Sequence, residues 1–330
     1  MTLKDIAKIV DLSESTVSRA LNNNPNIAKK TRELVMKVAK EHNFVINPHA
    51  RSLATKRSHR IGIIFPNDFY EFNKRDFFSQ LEKHFLLNSE KFQYEILIIR
   101  AKSLEKTIKS GNVDGLIIVN RDISKDDLEI LKKYKVPHTF VAYKPTVLEA
   151  DVCVFKSDNL DCGYNVAKLL HKEGCYNLLT ITSNNENLTD YKDRTTGFYN
   201  YLKENDLLRY EVHIHKCGMT FEDGRDLLLN NLDFLKAYDG IYCQQDKVAL
   251  GILSLIEKYS IKVPQDLKIV GHDNLELIDY FYPKLTTVKE NFEVITLEAL
   301  KYLIDMIEEK EEEKKVQSVF ETIIIKRETT

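Results

Sequence analysis

The sequence predicts a small all-α head followed by a two-lobed α/β body built on parallel sheets. The first sixty residues show helix-like apolar spacing and hold 7 Lys and 5 Arg against 2 Asp and 3 Glu, a net charge of +7. The rest of the chain alternates short apolar, β-branched runs with amphipathic stretches, and it carries −9 of a total net charge of −2. Continuous apolar strands that alternate with helices are typical of parallel sheets covered on both faces.

The composition describes a globular chain with more than one domain. It has 330 residues, of which 43% are hydrophobic and 30% charged, enough to bury a sizeable core. No apolar run approaches the ~20 residues that span a bilayer. The N-terminus, MTLKDIAKIV, carries charges inside its apolar pattern and lacks the features of a signal peptide. The five cysteines are widely spaced without a C-x-x-C pair, which disfavours a disulfide framework or a zinc site. We therefore expect a cytoplasmic protein.

Three helices are predicted in the head. Apolar residues at i, i+3, i+4 and i+7 place the first helix between Leu3 and Val10, and Thr2 can cap it. Ser13 is the natural N-cap of a second helix, which ends at the N-N-N-P stretch. A third helix is expected from about Lys29 to His42, with Leu34, Val35 and Val38 on its buried side. Two short helices joined by a tight turn and closed by a third form a helix-turn-helix unit.

The outward face of the second helix is short and polar, which suits a major groove. Arg19 can reach guanine or a phosphate, and the hydroxyl groups can bond phosphates or base edges. A basic head on an acidic body indicates a polyanion partner, with nucleic acid as the first candidate. An ordinary helical bundle with a solvated basic face is the alternative. The residues of the head that we expect to contact DNA are Thr2, Leu3, Lys4, Ser13, Glu14, Ser15, Thr16, Ser18, Arg19, Asn22, Lys30, Thr31 and Arg32.

The segments TLKDIAKIVDLSESTVSRALN and KKTRELVMKVAKEHNFVINPHARSLATKRSHRIGIIFP resemble the LacI/GalR family of bacterial transcriptional regulators. The family's T-V-S-R-x-L-N signature stands at residues 16–22. The resemblance implies that NPHARSLATKRS folds into a hinge helix on operator DNA, where Leu53 of each protomer wedges into the minor groove beside Asn47, Ala50 and Arg51. An apolar wedge that unstacks a base step suits that role. A basic interdomain linker is the alternative.

The body is predicted to contain two successive sets of strands and helices. In the first set, strands are expected at 60–66, 94–100, 114–119, 138–143 and 152–155. In the second set, they are expected at 177–182, 211–217, 240–245 and 267–273, with TIIIKRE as the last strand. Helices are expected at 77–87, 125–134 and 159–171. Ligands in such folds bind at the carboxyl ends of the strands, and two lobes form a cleft.

Three stretches of the body also match motifs of the same family. They are YKDRTTGF at 191–198, QQDKVALGIL at 244–253 and GHDNLELIDYFYPKLTTVKENF at 271–292. The resemblance implies a periplasmic-binding-protein-like (type I) body in which the chain crosses between the lobes three times. The implied organisation is a DNA-binding domain at 1–46, a hinge or linker at 47–59 and an effector-binding and dimerisation domain at 60–330. Lobe 1 is then about 60–158 and 290–320, and lobe 2 is about 159–289 and 321–330.

The resemblance also implies an effector site. Arg194 stands where the family's ligand-binding arginine lies, Asp273 follows a strand end, and Asp246 opens the helix after GIYCQQ. Gln245 replaces the family's usual asparagine, and Ala142 stands where several sugar-responsive members carry an acid, so a standard hexose fits less well. The predicted effector set is Phe69, Tyr70, Phe77, Tyr191, Arg194, Gln245, Asp246 and Asp273. For each aromatic residue, core or surface packing is the alternative.

No G-x-S-x-G, G-x-x-x-x-G-K-[ST] or H-E-x-x-H motif occurs, so we expect no enzyme, no cofactor and no metal site. The sequence predicts a repressor of a carbohydrate-utilisation operon that binds a pseudo-palindromic operator as a homodimer. A sugar or sugar derivative in the cleft would control it, and it would lie at the nucleoid when bound to DNA. Two alternatives remain open: a cytoplasmic sugar-binding or sugar-modifying protein without a DNA role, and a family regulator controlled by a protein or nucleoside-type corepressor.

Overall fold

The computed structural model describes residues 1–21, 26–44, 52, 57–66, 75–119, 123–144, 152–185, 187–208, 212–309 and 317–330. They form two compact units, Met1–His59 with Gly111–Val113 and Arg60–Ser110 with Asp114–Thr330. Several residues of the predicted sites lie outside the described residues, and their roles stay predictions: Asn22, Asn47, Ala50, Arg51, Leu53, Phe69 and Tyr70.

The described part of the head contains three helices, α1 Leu3–Ile9, α2 Glu14–Leu21 and α3 Lys29–Glu41. Thr2 begins α1 with a capping box, in which its Oγ1 accepts the Asp5 backbone N–H at 3.3 Å and the Asp5 carboxylate accepts the Thr2 N–H at 2.8 Å. Such a box satisfies backbone donors that a helix start leaves open. Ile6, Val17 and Val35, one from each helix, are completely buried and form the centre of the head's core.

The third helix differs from its prediction at one position. Leu34 was expected on the buried side but is 48% exposed, while Val35, Val38 and Ala39 are buried. With 3.6 residues per turn, these three side chains fill the inner stripe and Leu34 falls at its edge. Ala28 precedes α3 without a side-chain capping bond, because alanine has no hydroxyl or carbonyl to offer.

The body is built from twelve strands and nine helices among its described residues, and none of the helices is long and apolar enough to cross a membrane. In chain order these elements are β1 Arg60–Phe65, α4 Arg75–Ser89, β2 Glu95–Arg100, α5 Leu104–Lys109, β3 Gly115–Ile118, α6 Lys125–Tyr134, β4 His138–Val141, β5 Val154–Ser157, α7 Asn159–Lys172, β6 Leu178–Ser183, α8 Thr189–Glu204, β7 Ile214–Cys217, α9 Phe221–Asn230, α10 Leu232–Leu235, β8 Gly240–Cys243, α11 Asp246–Ile256, β9 Lys268–His272, β10 Thr286–Lys289, α12 Phe292–Ile307, β11 Gln317–Phe320 and β12 Ile323–Ile325. Short 3₁₀ turns lie at Glu90–Phe92, Ala101–Ser103, Glu257–Tyr259 and Glu276–Tyr280.

The strands form two six-stranded sheets, ordered β11-β5-β4-β3-β1-β2 and β12-β10-β9-β8-β6-β7. The described pairings are parallel except that of β10 with β12, where Val288 lies opposite Ile324 in an antiparallel register. This strand differs from the expected all-parallel arrangement. Strand β11 pairs in parallel with β5, so it ends at the edge of the first sheet where the carboxyl ends of the strands lie. Only two residues then lead into β12 of the second sheet. Strand β12 therefore starts close to that edge and runs in the opposite direction to β10.

The two sheets define lobe 1 and lobe 2. The chain crosses between them after β5, after β10 and after β11, at residues 157–159, 289–292 and 320–323. Helix α12 packs against α4 and against strands of the first sheet, and α7 packs closely on α8 in lobe 2. Each lobe has its own core, and the fully buried Ile63 and Ile241 lie in the cores of lobes 1 and 2.

Candidate functional site

A cavity of about 420 Å³ lies between the two lobes, where strands of both sheets end. The carboxyl ends of parallel strands meet at one edge of a sheet, and the loops after them form the ligand sites of such folds. Pro66 and Tyr143 follow strands of lobe 1, and Ser183, Gln245 and Asp273 end or follow strands of lobe 2. Among the described residues, the lining is formed by Pro66, Asp76, Phe77, Phe78, Tyr143, Ser183, Asn185, Asn187, Leu188, Asp190, Tyr191, Arg194, Met219, Thr220, Gln245, Lys247, Asp273 and Leu275.

Helix α8 carries Asp190, Tyr191 and Arg194 to the cavity wall. It packs tightly on α7 because one glycine in each helix leaves room for the backbone of the other helix. A Cβ on Gly163 would lie 1.9 Å from the Arg194 carbonyl oxygen, and one on Gly197 would lie 1.8 Å from a carbonyl oxygen of α7. Asp190 and Arg194 stand one turn apart and so share a helix face. In the R-x-x-G stretch, the glycine lets α8 pack on α7 and the arginine, one turn earlier, lines the cavity.

Arg194 is 3% exposed, and protein acceptors engage each of its three side-chain nitrogens. Nε donates to Asn159 Oδ1 at 2.7 Å, Nη2 to Glu290 Oε1 at 3.0 Å and Nη1 to the Gln244 carbonyl at 3.4 Å. The guanidinium also lies over the Tyr191 ring, with Cζ 5.3 Å from the ring centroid. A guanidinium has five N–H groups, so two are not used by these three bonds.

Glu290 joins two of the connections between the lobes. Its Oε2 accepts a hydrogen bond from Ser157 Oγ at 2.6 Å, while Oε1 accepts the bond from Arg194. Burial opposes ionisation of Glu290, but His272, Arg194 and Ser157 outweigh it and lower the pKa of this carboxyl. Ser157 and Glu290 belong to different crossings, and Arg194 reaches both through Asn159 and Glu290. The arginine therefore connects the cavity wall to two of the chain crossings between the lobes.

His272 lies fully buried behind this ion pair. Its Nδ1 is 2.8 Å from Tyr242 Oη, and its Nε2 is 3.5 Å from Glu290 Oε1. Burial and the Arg194 charge lower the pKa of His272 to about 4, so the ring is neutral at pH 7. His272, Asp273 and Glu290 hold possible metal-ligand atoms within 4.8 Å of one another. The guanidinium at Glu290 would repel a cation there, so the charges favour the ion pair.

The two predicted effector-site aspartates have different surroundings. Asp246 is fully buried and does not line the cavity. Its Oδ2 accepts the Leu275 N–H at 2.9 Å and its Oδ1 accepts the Thr287 hydroxyl at 2.5 Å. Burial raises the pKa of Asp246 to about 7 against the effect of these bonds. Asp273 lines the cavity, at φ 104°, and burial with the nearby Asp246 raises its pKa well above the usual range. Asp246 thus anchors the loop that presents Asp273.

Three further predicted effector residues, Phe77, Tyr191 and Gln245, also line the cavity. Phe77 packs edge to face on Phe292 at 5.2 Å and lies 5.9 Å from Tyr143, an aromatic residue that the sequence prediction missed. Tyr191 lies against Arg194. Gln245 lines the cavity, and its buried Oε1 has no hydrogen-bond partner among the described atoms. The structure thus brings five predicted residues to one cavity: Phe77, Tyr191, Arg194, Gln245 and Asp273.

A contact across the cavity was also missed. Lys247 Nζ lies 2.7 Å from Asp76 Oδ2, and Gln80 Nε2 donates to the Asp273 carbonyl at 3.3 Å. Both contacts run from α4 of lobe 1 to lobe 2. Lys247 directly follows Asp246 in the QQDK stretch, shortly after the end of β8. Its position after a strand end could therefore have predicted it as a cavity residue. Asn185 and Asn187, in the loop after β6, carry the same kind of signal.

In the head, the predicted DNA-contacting residues divide into exposed and structural groups. Glu14, Ser15 and Arg19 are exposed on α2. Ser13 Oγ accepts the Thr16 N–H at 3.1 Å and lies 2.8 Å from the Thr16 hydroxyl. Ser13 therefore caps α2, as the sequence predicts.

The flanking residues of the predicted interface are spread over α1 and α3. Thr2, Lys4 and Lys30 are exposed, and Leu3, Thr31 and Arg32 are half-buried, as is Ser18 on α2. Arg32 Nη1 donates to the Ile27 carbonyl at 2.9 Å, which fixes the start of α3.

Comparisons with known proteins cover both units. Residues 2–47 match the model of the bacterial regulatory proteins of the lacI family, and residues 167–330 match the periplasmic binding protein-like domain. The HTH-type transcriptional repressor PurR of Vibrio parahaemolyticus serotype O3:K6 is 27% identical over 334 residues, covering 98% of this chain and 97% of that protein. The chain belongs to the LacI family. The sucrose operon repressor of Pediococcus pentosaceus, 27% identical over 319 residues, covers 93% of this chain and 92% of its own length.

The fold of this LacI-family chain is also that of solved regulators. The transcriptional regulator CelR in complex with cellobiose has a TM-score of 0.72 at 20% identity, with all of both chains covered. These relatives are transcriptional regulators and not enzymes, which confirms the predicted family, fold class and regulatory role. The chain is a LacI-family transcriptional repressor.

Proposed function

We propose that this LacI-family repressor controls a carbohydrate-utilisation operon. It binds a pseudo-palindromic operator as a homodimer and responds to a sugar or sugar derivative in the interlobe cavity. In this proposal residues 1–46 bind DNA, 47–59 form the hinge, and 60–330 bind the effector and dimerise. The observation that carries it is the cavity, whose volume of about 420 Å³ lies in the range of small-molecule sites.

The lining of the cavity suits a hydroxyl-rich ring. Asn187, Gln245 and Asp273 offer amide and carboxyl groups, and Arg194 keeps two N–H groups for a ligand. Tyr191 supplies an aromatic face beside them. A few placed polar groups on a partly apolar wall give orientation and specificity in such sites.

The head supports the DNA role. Arg19 and Ser15 are exposed on α2, and residues 1–60 carry a net charge of +7. A guanidinium can bond guanine bidentately, and a serine hydroxyl can bond either a base edge or a phosphate. Two such heads would read the two halves of a pseudo-palindrome.

Exposed apolar surface on the body supports the homodimer. Leu86 and Leu87 on α4, together with Leu97 on β2, are exposed, and Tyr280 and Tyr282 are 84% and 81% exposed. Exposed apolar side chains that adjoin one another, as the consecutive Leu86 and Leu87 do, are typical of association surfaces.

Regulation requires the effector to bind two states of the lobes with different affinity. The Lys247–Asp76 ion pair and the Gln80–Asp273 bond span the cavity, so a ligand that rearranges them shifts the angle between the lobes. A coupling of ~1–3 kcal/mol would give a 5–150-fold change in operator affinity.

Selection of bound sequences from a random DNA pool tests the function. The full-length protein should enrich a pseudo-palindrome and bind it with an affinity that falls steeply with salt. Arg19→Ala should weaken that binding at least about tenfold, whereas Lys125→Ala on α6 of the body, the matched control, should not. An unenriched pool, or equal binding by the two variants, would favour a sugar-binding protein without a DNA role.

A further inference from the structure

We infer that lobe 2 carries a docking groove for an extended protein segment that has glutamates at alternate positions and adds a strand to the edge of the second sheet. The groove lies between helix α7 and strand β12 and shares none of the described residues of the interlobe cavity. Its volume is about 390 Å³, and the described residues that line it are Asn165, Lys168, Leu169, Lys172, Thr322 and Ile324. This partner is additional to the operator and the effector of the proposed function.

Strand β12 offers an open edge. It is the last strand of the second sheet and, among the described strands, it pairs with β10 alone. Alternate backbone N–H and C=O groups of such a strand point away from the sheet and can pair with another chain. Ile323 on this strand is 50% exposed. An exposed apolar edge of this kind is a template for strand addition.

Helix α7 runs beside this edge and forms the second wall of the groove. Thr322 and Ile324 stand two residues apart, so they share one face of the strand, and both line the groove. Where α7 ends, Lys326 Nζ donates to Glu173 Oε1 at 2.6 Å, so helix and strand stay side by side to this point. Residues 165–172 of α7 rise about 10 Å, which matches about three residues of an extended chain.

Two lysines determine which side chains the groove accepts. Lys168 and Lys172 are exposed, and neither forms an ion pair with a described residue. Four residues of helix rise about 6 Å, close to the ~6.6 Å between residues i and i+2 of an extended strand. Carboxylates at alternate positions of an added strand therefore match both lysines. Glutamate fits better than aspartate, because its longer stem can cover the half-buried Leu169 and Ile324 between the lysines and the strand.

The other end of the groove is acidic. Asp161 lies one turn before Asn165, whose Nδ2 donates to Asp161 Oδ2 at 2.6 Å. Burial, and then the charges of Asp158 and Glu321, raise the pKa of the Asp161 carboxyl, so these acids lie near one another. An acidic segment is therefore attracted to the lysine end of the groove and repelled from the Asp161 end, which sets its position along β12.

Peptide binding to the full-length protein, measured by fluorescence polarisation, tests the inference. The probe is the labelled, end-blocked peptide TVEVEVT, and its isomer TVVEEVT has the same composition with the glutamates on opposite faces of a strand. Two further probes carry methyl groups on alternate backbone nitrogens of TVEVEVT, one on each edge.

A pair of protein variants tests the lysines. Lys168→Glu with Lys172→Glu reverses both charges of the groove. Lys102→Glu with Lys106→Glu is the matched control, because these two lysines of lobe 1 are also exposed, four residues apart and remote in sequence from α7 and β12.

The native protein and the control variant should bind TVEVEVT equally. Reversal of the groove lysines, or use of the isomer, should weaken binding at least about tenfold, a difference of about 1.4 kcal/mol. One methylated probe should lose binding and the other should keep it, because a single edge of the added strand faces β12.

Three outcomes would overturn the inference. Equal binding of the two isomers, or by the two lysine variants, would mean that only net negative charge is recognised, as for any polyanion. The same affinity for both methylated probes would contradict strand pairing. No binding of TVEVEVT to the native protein at about 1 mM would contradict docking in the groove, and the peptide comparisons decide without any variant of the protein.

Discussion

Arg194 donates to Glu290 at 3.0 Å in a part of the body where both side chains are almost fully buried. The carboxylate is also bonded to Ser157, and the guanidinium to Asn159. One arginine therefore lines the interlobe cavity and ties together two of the three connections between the lobes. A ligand that bonded its remaining N–H groups would contact a side chain that is itself bonded to both of these connections.

Replacing Glu290 by Gln should strongly destabilise the body. The change leaves the Arg194 guanidinium buried without its counter-charge, and loss of one partner of a buried pair costs about 3–5 kcal/mol. The matched control is Glu129→Gln, because Glu129 pairs with Lys132 at 4.0 Å with both side chains more than 70% exposed. That exposed pair contributes about 0–1 kcal/mol. Urea denaturation of the three proteins measures the difference, and equal midpoints for the two variants would refute a structural role for the buried pair.

Acid should destabilise the native protein partly through His272. Its pKa is 6.5 in the unfolded chain and about 4 in the folded one, because burial and then Arg194 disfavour the charged ring. Between these values the unfolded state binds the proton and the folded state does not, so stability falls as the pH drops from 6.5 to 4. His272→Gln should lose less stability than the native protein across this window, by at most about 3 kcal/mol. Parallel stability curves for the two proteins would show that the ring is not held neutral.

Asp246 should produce the opposite pH dependence. Burial raises its pKa from 3.8 to about 7, so the folded state holds a proton that the unfolded state has lost. Stability then falls as the pH rises from about 4 to 7. Asp246→Asn keeps the shape of the protonated side chain, so its stability relative to the native protein should rise with pH, by at most about 4 kcal/mol. Thermal unfolding at pH 5 and pH 8 checks the sign, and a relative stability that is constant or falls would contradict the assignment.

The order of the elements and one side of the site were predictable from local pattern. After Arg60 the run IGIIF is apolar, because β1 is buried on both faces there, and the R-x-x-G spacing places Arg194 one helical turn before the glycine that lets α8 pack on α7. These features are visible in sequence because each depends on residues within one or two turns of one another.

The pairing of charges was not predictable in the same way. Glu290 is 96 positions from Arg194, and nothing local indicates that Asp76 and Lys247 meet across the cavity. Asp246 and Asp273 both follow strands, yet packing turned one toward Thr287 in the core and left the other at the cavity. Tertiary packing decides which polar groups line the cavity. The spacing of residues in the sequence does not show this packing for individual side chains.

Two neighbouring serines of the head should separate folding from DNA contact. Ser13 Oγ caps α2 by accepting the Thr16 N–H, so Ser13→Ala should destabilise this helix by about 1 kcal/mol. Ser15 is exposed on the same helix, and Ser15→Ala should leave the helix as stable as before while weakening operator binding. Amide hydrogen exchange over 14–21 measures helix stability, and gel shift measures binding. Faster exchange in Ser15→Ala, or unchanged exchange in Ser13→Ala, would contradict this division, because a cap acts on backbone donors and an exposed hydroxyl acts only on what docks against it.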